Sequence, residues 1–346
     1  MWWLAVLAAC GHAGEPEPMA APVAATPATI VGTLPDGHVA SVAIDARGTI
    51  AGVAAATAPA AAQQWLSTPV IDSHVHLSYW PVAARLAAAG VEGVVDLASP
   101  EAALADVGTQ PIHMLAAGPM LTRDGGYPLA SWGADGYGTG CHDAACVTAT
   151  VDRLAREGAG VIKIAGDDDG LPAELYPTAV AAAHAHHLRV AAHELSEAGA
   201  RVAGQAGVDI LAHTPVEPLS AATIALWRGR AVISTLAAFG GGDAAVANLR
   251  ALRAAGCTVL YGTDLGNSRD AGPSADEIAL LERAGLDAAA ITDAMTTVPA
   301  AFWGFQFALA PRAEATFLVL DRDPRRDPRA FLQPAAVYVR GTQLAR

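Results

Sequence analysis

Six side chains along the middle of the chain are of types that bind metal ions: His74, His76, Lys163, His193, His213 and Asp264. His74 and His76 are separated by one residue, and side chains two apart on an extended backbone face the same way, so both imidazoles can reach one ion. Lys163 is the one lysine among the 21 lysine and arginine residues. A buried lysine can lose its proton and be carbamylated, whereas an arginine stays protonated. Together these residues predict a site for divalent cations.

The segments that lead to these residues are apolar runs that alternate with alanine-rich stretches. The apolar runs predict eight β-strands, at residues 70–72, 93–97, 112–116, 160–164, 189–192, 209–212, 231–235 and 258–262. Alanine has the highest helix propensity, so the stretches between them predict helices, including residues 148–157, 175–186, 196–205 and 244–255. Strand–helix units repeated in this way are the pattern of a (β/α)8 TIM barrel, an α/β fold.

In such a barrel the six residues lie at the carboxyl ends of strands one, four, five, six and eight, in chain order. Barrel enzymes build their sites at that end of the strands. A single histidine in such a place is more often a core side chain with a hydrogen-bond partner, and a lone His-x-His pair is a weak signal. The joint placement of all six residues favours a metal centre over the structural alternative.

The two ends of the chain differ from this central part. Short alternating stretches between Gly and Pro turns predict antiparallel strands there, at residues 28–31, 39–44, 50–53, 316–320 and 336–340. Residues 11–27 are rich in Pro, Ala and Glu, which is typical of a flexible tether. We therefore divide the chain into a signal and tether at 1–27, a small β-domain at 28–67 and 312–346, and a barrel at 68–311.

Residues 2–10 are apolar and end in Leu-Ala-Ala-Cys. They resemble a bacterial lipoprotein signal, although no lysine or arginine precedes the apolar run. The resemblance implies export and a lipid anchor on Cys10 at the periplasmic face of a membrane; a cytoplasmic protein with an apolar N-terminus is the alternative. In an exported protein Cys141 and Cys146 could form a disulfide, and a metal site that also uses His142 is the other interpretation.

Other loop residues are candidates for contacting the substrate. Arg123 and Tyr127 lie in the long connection after strand three, where barrels commonly place substrate loops. Asp167 follows strand four on the same face and could meet a basic substrate group, with a solvated loop as the alternative. Asp96, near the end of strand two, is a candidate to orient a metal ligand. The net charge of -13 without a basic stretch argues against nucleic acid as a partner.

The order His-x-His, Lys, His, His, Asp resembles the amidohydrolase superfamily of metal-dependent hydrolases. Four flanking segments agree with that family: IDSHVH at 71–76, VIKI at 161–164, TTVPA at 296–300 and FLVLD at 317–321. The similarity runs from about residue 30 to residue 341. Lysine at the bridging position and Gly118-Pro119 after strand three point to the imidazolonepropionase-like and prolidase-like branch. Residues 310–315 depart from the family by lacking its glycine-rich turn.

This resemblance implies a set of roles. His74, His76 and Asp264 would hold one divalent ion. His193 and His213 would hold a second ion, and carbamylated Lys163 would bridge the two. Zinc suits these ligands, with manganese, iron or cobalt as alternatives. Asp264 would take the proton of a metal-activated water, and the resulting hydroxide would cleave an amide-type C–N bond in a small peptide, an acylated amino acid or a cyclic amide. The terminal strands would pair into a small β-sandwich beside the barrel.

Other functions stay open at this point. A deaminase-type enzyme would use one ion on His74, His76, His193 and Asp264, with Lys163 merely charged. A lactonase or phosphotriesterase would use the same hydroxide on another electrophile. A non-catalytic surface lipoprotein would keep the barrel as a binding scaffold. Substrate, metal identity and oligomeric state are not determined by these patterns.

Overall fold

The computed structural model describes residues 25–57, 63–167 and 169–345, so Cys10 and the predicted signal lie outside the described residues. The strands are β1 (Ala28–Thr33), β2 (Val39–Ile44), β3 (Ile50–Ala55), β4 (Trp65–Ser67), β5 (Val70–Val75), β6 (Val91–Asp96), β7 (His113–Ala116), β8 (Met120–Thr122), β9 (Gly138–Gly140), β10 (Ile162–Ala165), β11 (Val190–His193), β12 (Ile210–Leu211), β13 (Ala231–Ile233), β14 (Thr258–Leu260), β15 (Phe317–Leu320), β16 (Ala336–Val339) and β17 (Thr342–Gln343). The α-helices are α1 (Ala83–Ala88), α2 (Ala144–Arg156), α3 (Tyr176–Ala185), α4 (Glu197–Ala206), α5 (Ala221–Leu226), α6 (Asp243–Ala254), α7 (Ala275–Arg283), α8 (Ala288–Met295) and α9 (Thr297–Trp303).

Strands from both ends of the chain form one seven-stranded sheet, in the order β17-β16-β15-β4-β1-β2-β3. Buried and half-buried residues alternate along β2, so Val42 and Ile44 point inward. They pack into a separate small core with Phe317 and Tyr338, which come from the other end of the chain. The predicted pairing of N-terminal with C-terminal strands is therefore observed.

The central strands are parallel and form two sheets, one of β14-β13-β12-β11-β10-β8-β9 and one of β5-β6-β7. Backbone hydrogen bonds connect the two: Asp264 N donates to the carbonyl of His74, and Gly160 N donates to that of Ala116, each at 2.9 Å. A buried apolar core lies between the strands and includes Ile71, Val161, Ile233 and Leu260. The predicted mixed α/β fold with parallel strands is confirmed.

The helices begin and end where local hydrogen bonds favour it. The Asp143 side chain accepts a hydrogen bond from Cys146 N at 2.8 Å, so α2 begins four positions earlier than predicted. Ser196 caps α4 in the same way, and Gly207, at φ +91°, ends it. A disulfide joins Cys141, which precedes α2, to Cys146 in the first turn of that helix, and their Cα atoms are 5.5 Å apart.

Four strand boundaries differ from the prediction and change how site residues are held. His74 lies inside β5 rather than after it, because β5 continues to Val75. Lys163 is the second of the four residues of β10 rather than near its carboxyl end, since the pairing with β11 continues to Ala165. By contrast, β12 ends at Leu211 and β14 at Leu260, so His213 and Asp264 lie on the turns that follow these strands. No helix in the described part of the chain is long and apolar enough to cross a membrane.

Candidate metal centre

The two histidines of the His-x-His pair are buried at the end of β5. Nδ1 of His74 lies 2.9 Å from the carbonyl oxygen of Ala212. That contact assigns the ring proton to Nδ1 and leaves Nε2 as the lone-pair nitrogen. Burial, followed by the charge of Lys163, lowers the pKa of His74 well below its ordinary value. The ring is therefore neutral, as a metal ligand must be.

Asp264 lies on the turn after β14 and completes a compact group with this pair. Its Oδ1 is 3.4 Å from Nε2 of His74 and 3.1 Å from Nε2 of His76. One ligand atom from each of the three residues lies within 4.8 Å of the other two. The backbone of Asp264 is left-handed, at φ +55°, a conformation that non-glycine residues rarely adopt and that is concentrated at functional sites.

The carboxylate of Asp264 is ionised although it is buried. Burial by itself opposes ionisation, but the imidazoles of His74, His76 and His213 hold its pKa well below its ordinary value. Oδ2 accepts a hydrogen bond from Nδ2 of Asn267 at 2.8 Å. Oδ1 remains directed at the two histidines of the group.

Among the described residues, four buried atoms at this place have no hydrogen-bond partner: Nε2 of His74, Nδ1 of His76, Oδ1 of Asp264 and Nζ of Lys163. Buried polar atoms are almost always paired, because leaving one unpaired costs free energy. Nitrogen and carboxylate oxygen atoms are the ligands that zinc and similar divalent ions take. The residues present therefore fit a divalent cation held among them.

His213 and His193 continue the cluster of imidazoles beside this group. The ring centroid of His213 lies 4.4 Å from that of His74 and 4.7 Å from that of His193. Nδ1 of His213 is 3.0 Å from Oγ1 of Thr235. Thr235 has φ +39°, an unfavourable conformation for a β-branched residue. The second pair of predicted ligands therefore adjoins the first, and the turn after β13 orients one of its members.

Lys163 is fully buried. Burial lowers the pKa of its amine to about 7, although Asp264 and Glu194 oppose that shift. The charge on the amine acts on His74, His193 and His213, which places it within the same cluster. A large fraction of the amine is neutral near pH 7, and the neutral amine is the form that reacts with carbon dioxide.

Carboxylates behind the ligands fix the backbone that carries them. Asp72 accepts hydrogen bonds from the backbone N–H groups of His74 at 3.1 Å and Thr263 at 3.0 Å, so it connects the two ligand-bearing segments. Asp96 accepts from Ser78 N at 3.0 Å and thereby holds the turn after His76 rather than an imidazole. The sequence interpretation identified Asp96 and missed Asp72, whose position two residues before the His-x-His pair was the available signal.

The three substrate candidates have different surroundings. Arg123 is half-exposed and forms an ion pair with Asp169. The carboxylate of Asp167 accepts hydrogen bonds within the chain, from Leu195 N at 2.9 Å and Ser196 Oγ at 2.6 Å. The Tyr127 ring centroid lies 5.1 Å from that of His193. The fold thus brings only Tyr127 of these three against a predicted ligand.

Aromatic side chains that the sequence interpretation did not select line the same place. The Trp132 ring centroid is 5.2 Å from that of His76, and Trp132 Nε1 donates a hydrogen bond to the Tyr127 hydroxyl at 3.1 Å. The ring centroid of Phe239 lies 4.8 Å from that of His213. Trp132 belongs to the connection between β8 and β9, which the sequence had already marked as a substrate loop. Which of its aromatic residues reaches the cluster could not be told from composition.

Comparisons with known proteins agree with this fold. No family model matches the chain. An uncharacterized protein of Mycobacterium tuberculosis is 28% identical over 335 residues, covering 80% of this chain and 84% of that protein. The crystal structure of a putative prolidase from Bifidobacterium longum is similar with a TM-score of 0.73 and 22% identity, over 94% of this chain and 96% of that one. That of a Xaa-Pro dipeptidase with methionine bound in its active site has a TM-score of 0.75 and 17% identity, over 93% and 100%.

The likeness extends over nearly the whole length of the solved structures, while the sequence identities are low. At such identities it establishes the fold. The mixed α/β fold with parallel strands that the sequence predicts is therefore shared with these solved structures. Fold alone does not imply an activity, which has to be argued from the site.

Proposed function

We propose that the protein is a metal-dependent hydrolase that cleaves an amide-type C–N bond in a small peptide, an acylated amino acid or a cyclic amide. The observation that carries this proposal is the buried group of His74, His76 and Asp264, with the unpartnered Lys163 amine beside it. The likeness to structures described as a prolidase and a Xaa-Pro dipeptidase supports the choice of bond.

Two divalent ions, zinc for preference, would be held by separate sets of residues. His74, His76 and Asp264 would hold the first, His193 and His213 the second, and carbamylated Lys163 would contribute oxygen atoms to both. Bound divalent ions supply a water of lowered pKa and polarise a carbonyl group.

Asp264 is the residue that we assign to proton transfer. The hydrogen bond from Asn267 fixes its Oδ2, so the carboxylate keeps one orientation while Oδ1 faces the site. Because its pKa is low, Asp264 is ionised at neutral pH and can accept a proton at Oδ1. It would then return that proton to the departing nitrogen, as a general base followed by a general acid. Tyr127 and Trp132 would cover the substrate and limit the access of water.

The architecture belongs to the same proposal. We interpret the two parallel sheets as one closed (β/α)8 barrel over 68–311, which the hydrogen bonds between β5 and the segment after β14 support. We interpret the terminal sheet, at 28–67 and 312–346, as a small β-sandwich. In this arrangement four ligand candidates, His76, His193, His213 and Asp264, lie at or after the carboxyl ends of barrel strands, where barrel active sites are built.

The decisive experiment uses the fact that the chain has one lysine. Protein equilibrated with 13C-bicarbonate should show a single protected carbamate resonance, and Lys163→Met should lack it. Metal analysis of the same samples should give about two ions per chain, because two separate ligand sets are expected to bind ions. A dipeptide and N-acyl amino acid library then tests turnover. Absence of hydrolysis across that library by the metal-loaded protein would contradict the proposal.

A one-metal enzyme of the deaminase type is the second candidate. One observation favours it: three of the four ligands that such an enzyme would use, His74, His76 and Asp264, already form the compact group. One tightly bound ion per chain, with no effect of bicarbonate on reconstitution, would select this alternative.

We also propose export and lipid anchoring through Cys10, on the signal-like sequence. The disulfide between Cys141 and Cys146 supports an oxidising compartment, because structural disulfides are rare in the cytosol. Fractionation of the native host should find the protein in the membrane pellet, and Cys10→Ser should release it. Recovery of the unmodified chain in the soluble cytosolic fraction would contradict this assignment.

A further inference from the structure

A guanidinium group lies on the segment that follows the carboxylate of the candidate metal centre. Arg269 packs over Trp80, with 4.3 Å between its Cζ and the ring centroid, and lies 5.6 Å from the centroid of Tyr79. Among the residues that the structure describes, no carboxylate forms an ion pair with Arg269. Arg123, the other arginine considered above for this face, is paired with Asp169.

The two segments that create this contact are the ones that carry metal-ligand candidates. The carbonyl of His76 accepts hydrogen bonds from Tyr79 N at 3.1 Å and Trp80 N at 2.8 Å, so both aromatic residues sit on the turn directly after that histidine. Ser268 N donates to the carbonyl of Asp264 at 3.0 Å, which places Arg269 just beyond the corresponding turn of the carboxylate ligand. The guanidinium is therefore fixed relative to the candidate metal centre from two sides.

Aromatic rings continue from this guanidinium to the metal-ligand candidates. The ring centroid of Tyr79 is 5.4 Å from that of Trp132, which in turn is 5.2 Å from that of His76. These ring contacts place Arg269 and the candidate metal centre at opposite ends of one series of aromatic side chains. A substrate along this series would meet the candidate metal centre at one end and a cation at the other.

Packing against a ring face uses the flat side of a guanidinium and leaves its edge N–H groups able to donate. Those N–H groups form a fork that fits both oxygens of a carboxylate. We propose that Arg269 binds the free carboxylate of the substrate, so that the protein acts on peptides or N-acylated amino acids that end in a carboxylate. This inference rests on the proposed hydrolase function, and it names the substrate class of that same site.

Binding of the released amino acid tests the inference without requiring turnover. Calorimetry on the metal-loaded, full-length protein would compare L-methionine with L-methioninamide and L-proline with L-prolinamide. Each pair differs at the carboxylate alone. We expect the acids to bind at least about tenfold more tightly than the amides, which is the scale of a charge-assisted pair. Arg269→Met keeps an apolar side chain over Trp80 and should reduce this ratio to about one, and Arg269→Lys should keep part of it.

Two further variants distinguish a specific role from a general one. Arg85→Met removes an exposed arginine of α1 and should leave the ratio unchanged. Arg123→Met tests the rival arginine. The inference is overturned if acids and amides bind equally, if neither binds, or if Arg123→Met rather than Arg269→Met abolishes the preference. A clear preference for acids without hydrolysis of any library member would leave Arg269 as the carboxylate site and would reject the hydrolase function itself.

Discussion

Oδ1 of Asp264 lies 3.1 Å from Nε2 of His76, and both side chains are buried. Asp264 follows the last of the central parallel strands, and His76 follows the first. They meet because His76 N donates to the carbonyl of Leu265 at 2.6 Å, which aligns the ends of the two segments. The candidate metal centre therefore depends on this junction being formed.

Asp264→Asn should abolish most activity. The amide cannot accept the proton that we assign to Oδ1, and loss of a general base costs about 10²- to 10⁴-fold in rate. The measurement is kcat with metal content determined on the same preparation. Asp270→Asn, an exposed neighbour on the same loop, is the control and should behave as wild type. An Asp264→Asn protein with full metal content and unchanged kcat would remove Asp264 from the mechanism.

Lys163→Arg and Lys163→Ala should both lose the second ion and most activity, because neither side chain can form a carbamate. Lys163→Ala also leaves a space in the cluster, and acetate or formate should restore part of its activity by supplying the missing oxygen ligands. Circular dichroism should show the same fold in both variants. Full activity of Lys163→Arg would show that the amine has no part in catalysis.

Gly266→Ala should weaken metal binding through His76. Gly266 has φ +120°, and a Cβ at this position would lie 2.7 Å from Cβ of His76, so the histidine would have to move. Titration with zinc against a chelator should show a lower affinity, by about tenfold or more, as for changes that displace a ligand's support. Gly229→Ala is the matched control, since its φ is also positive but a Cβ there meets nothing within 4 Å. Equal zinc affinity in both variants would contradict the role of this contact.

Glu92→Gln should stabilise the protein at neutral and alkaline pH. Glu92 is fully buried in β6, and neither carboxylate oxygen has a hydrogen-bond partner. Burial raises its pKa well above the ordinary value, an effect that Arg340 only partly opposes. The folded state therefore holds this proton more tightly than the unfolded state, and stability falls as the pH rises above the unfolded pKa.

Urea unfolding at pH 5 and pH 8 measures this effect. The gain of Glu92→Gln over wild type should be small at pH 5 and about 1–3 kcal/mol at pH 8, the usual cost of an unsatisfied buried polar group. Glu174→Gln, at an exposed position, should show no such pH-dependent difference. A gain of equal size at both pH values would mean that the charge of Glu92 is not its cause.

The sequence by itself determined which residue types recur and in what order. Strand alternation, apolar runs and the two-residue spacing of His74 and His76 are local properties, so they indicated parallel strands with ligand candidates near the ends. Boundaries were less accurate. The placement of Lys163 inside β10 depends on how far that strand pairs with β11, which is a non-local property.

Only the tertiary structure decided which of these residues form a compact group and what surrounds them. Two contacts join residues from separate segments: Trp132 with His76, and Arg269 with Trp80. The lack of hydrogen-bond partners for the Glu92 carboxylate likewise depends on how separate segments pack. Loop positions follow from packing against the rest of the molecule and not from the loop's own residues. Hydrogen-bond partners and burial are likewise set by neighbours distant in the chain, so no local pattern could have reported them.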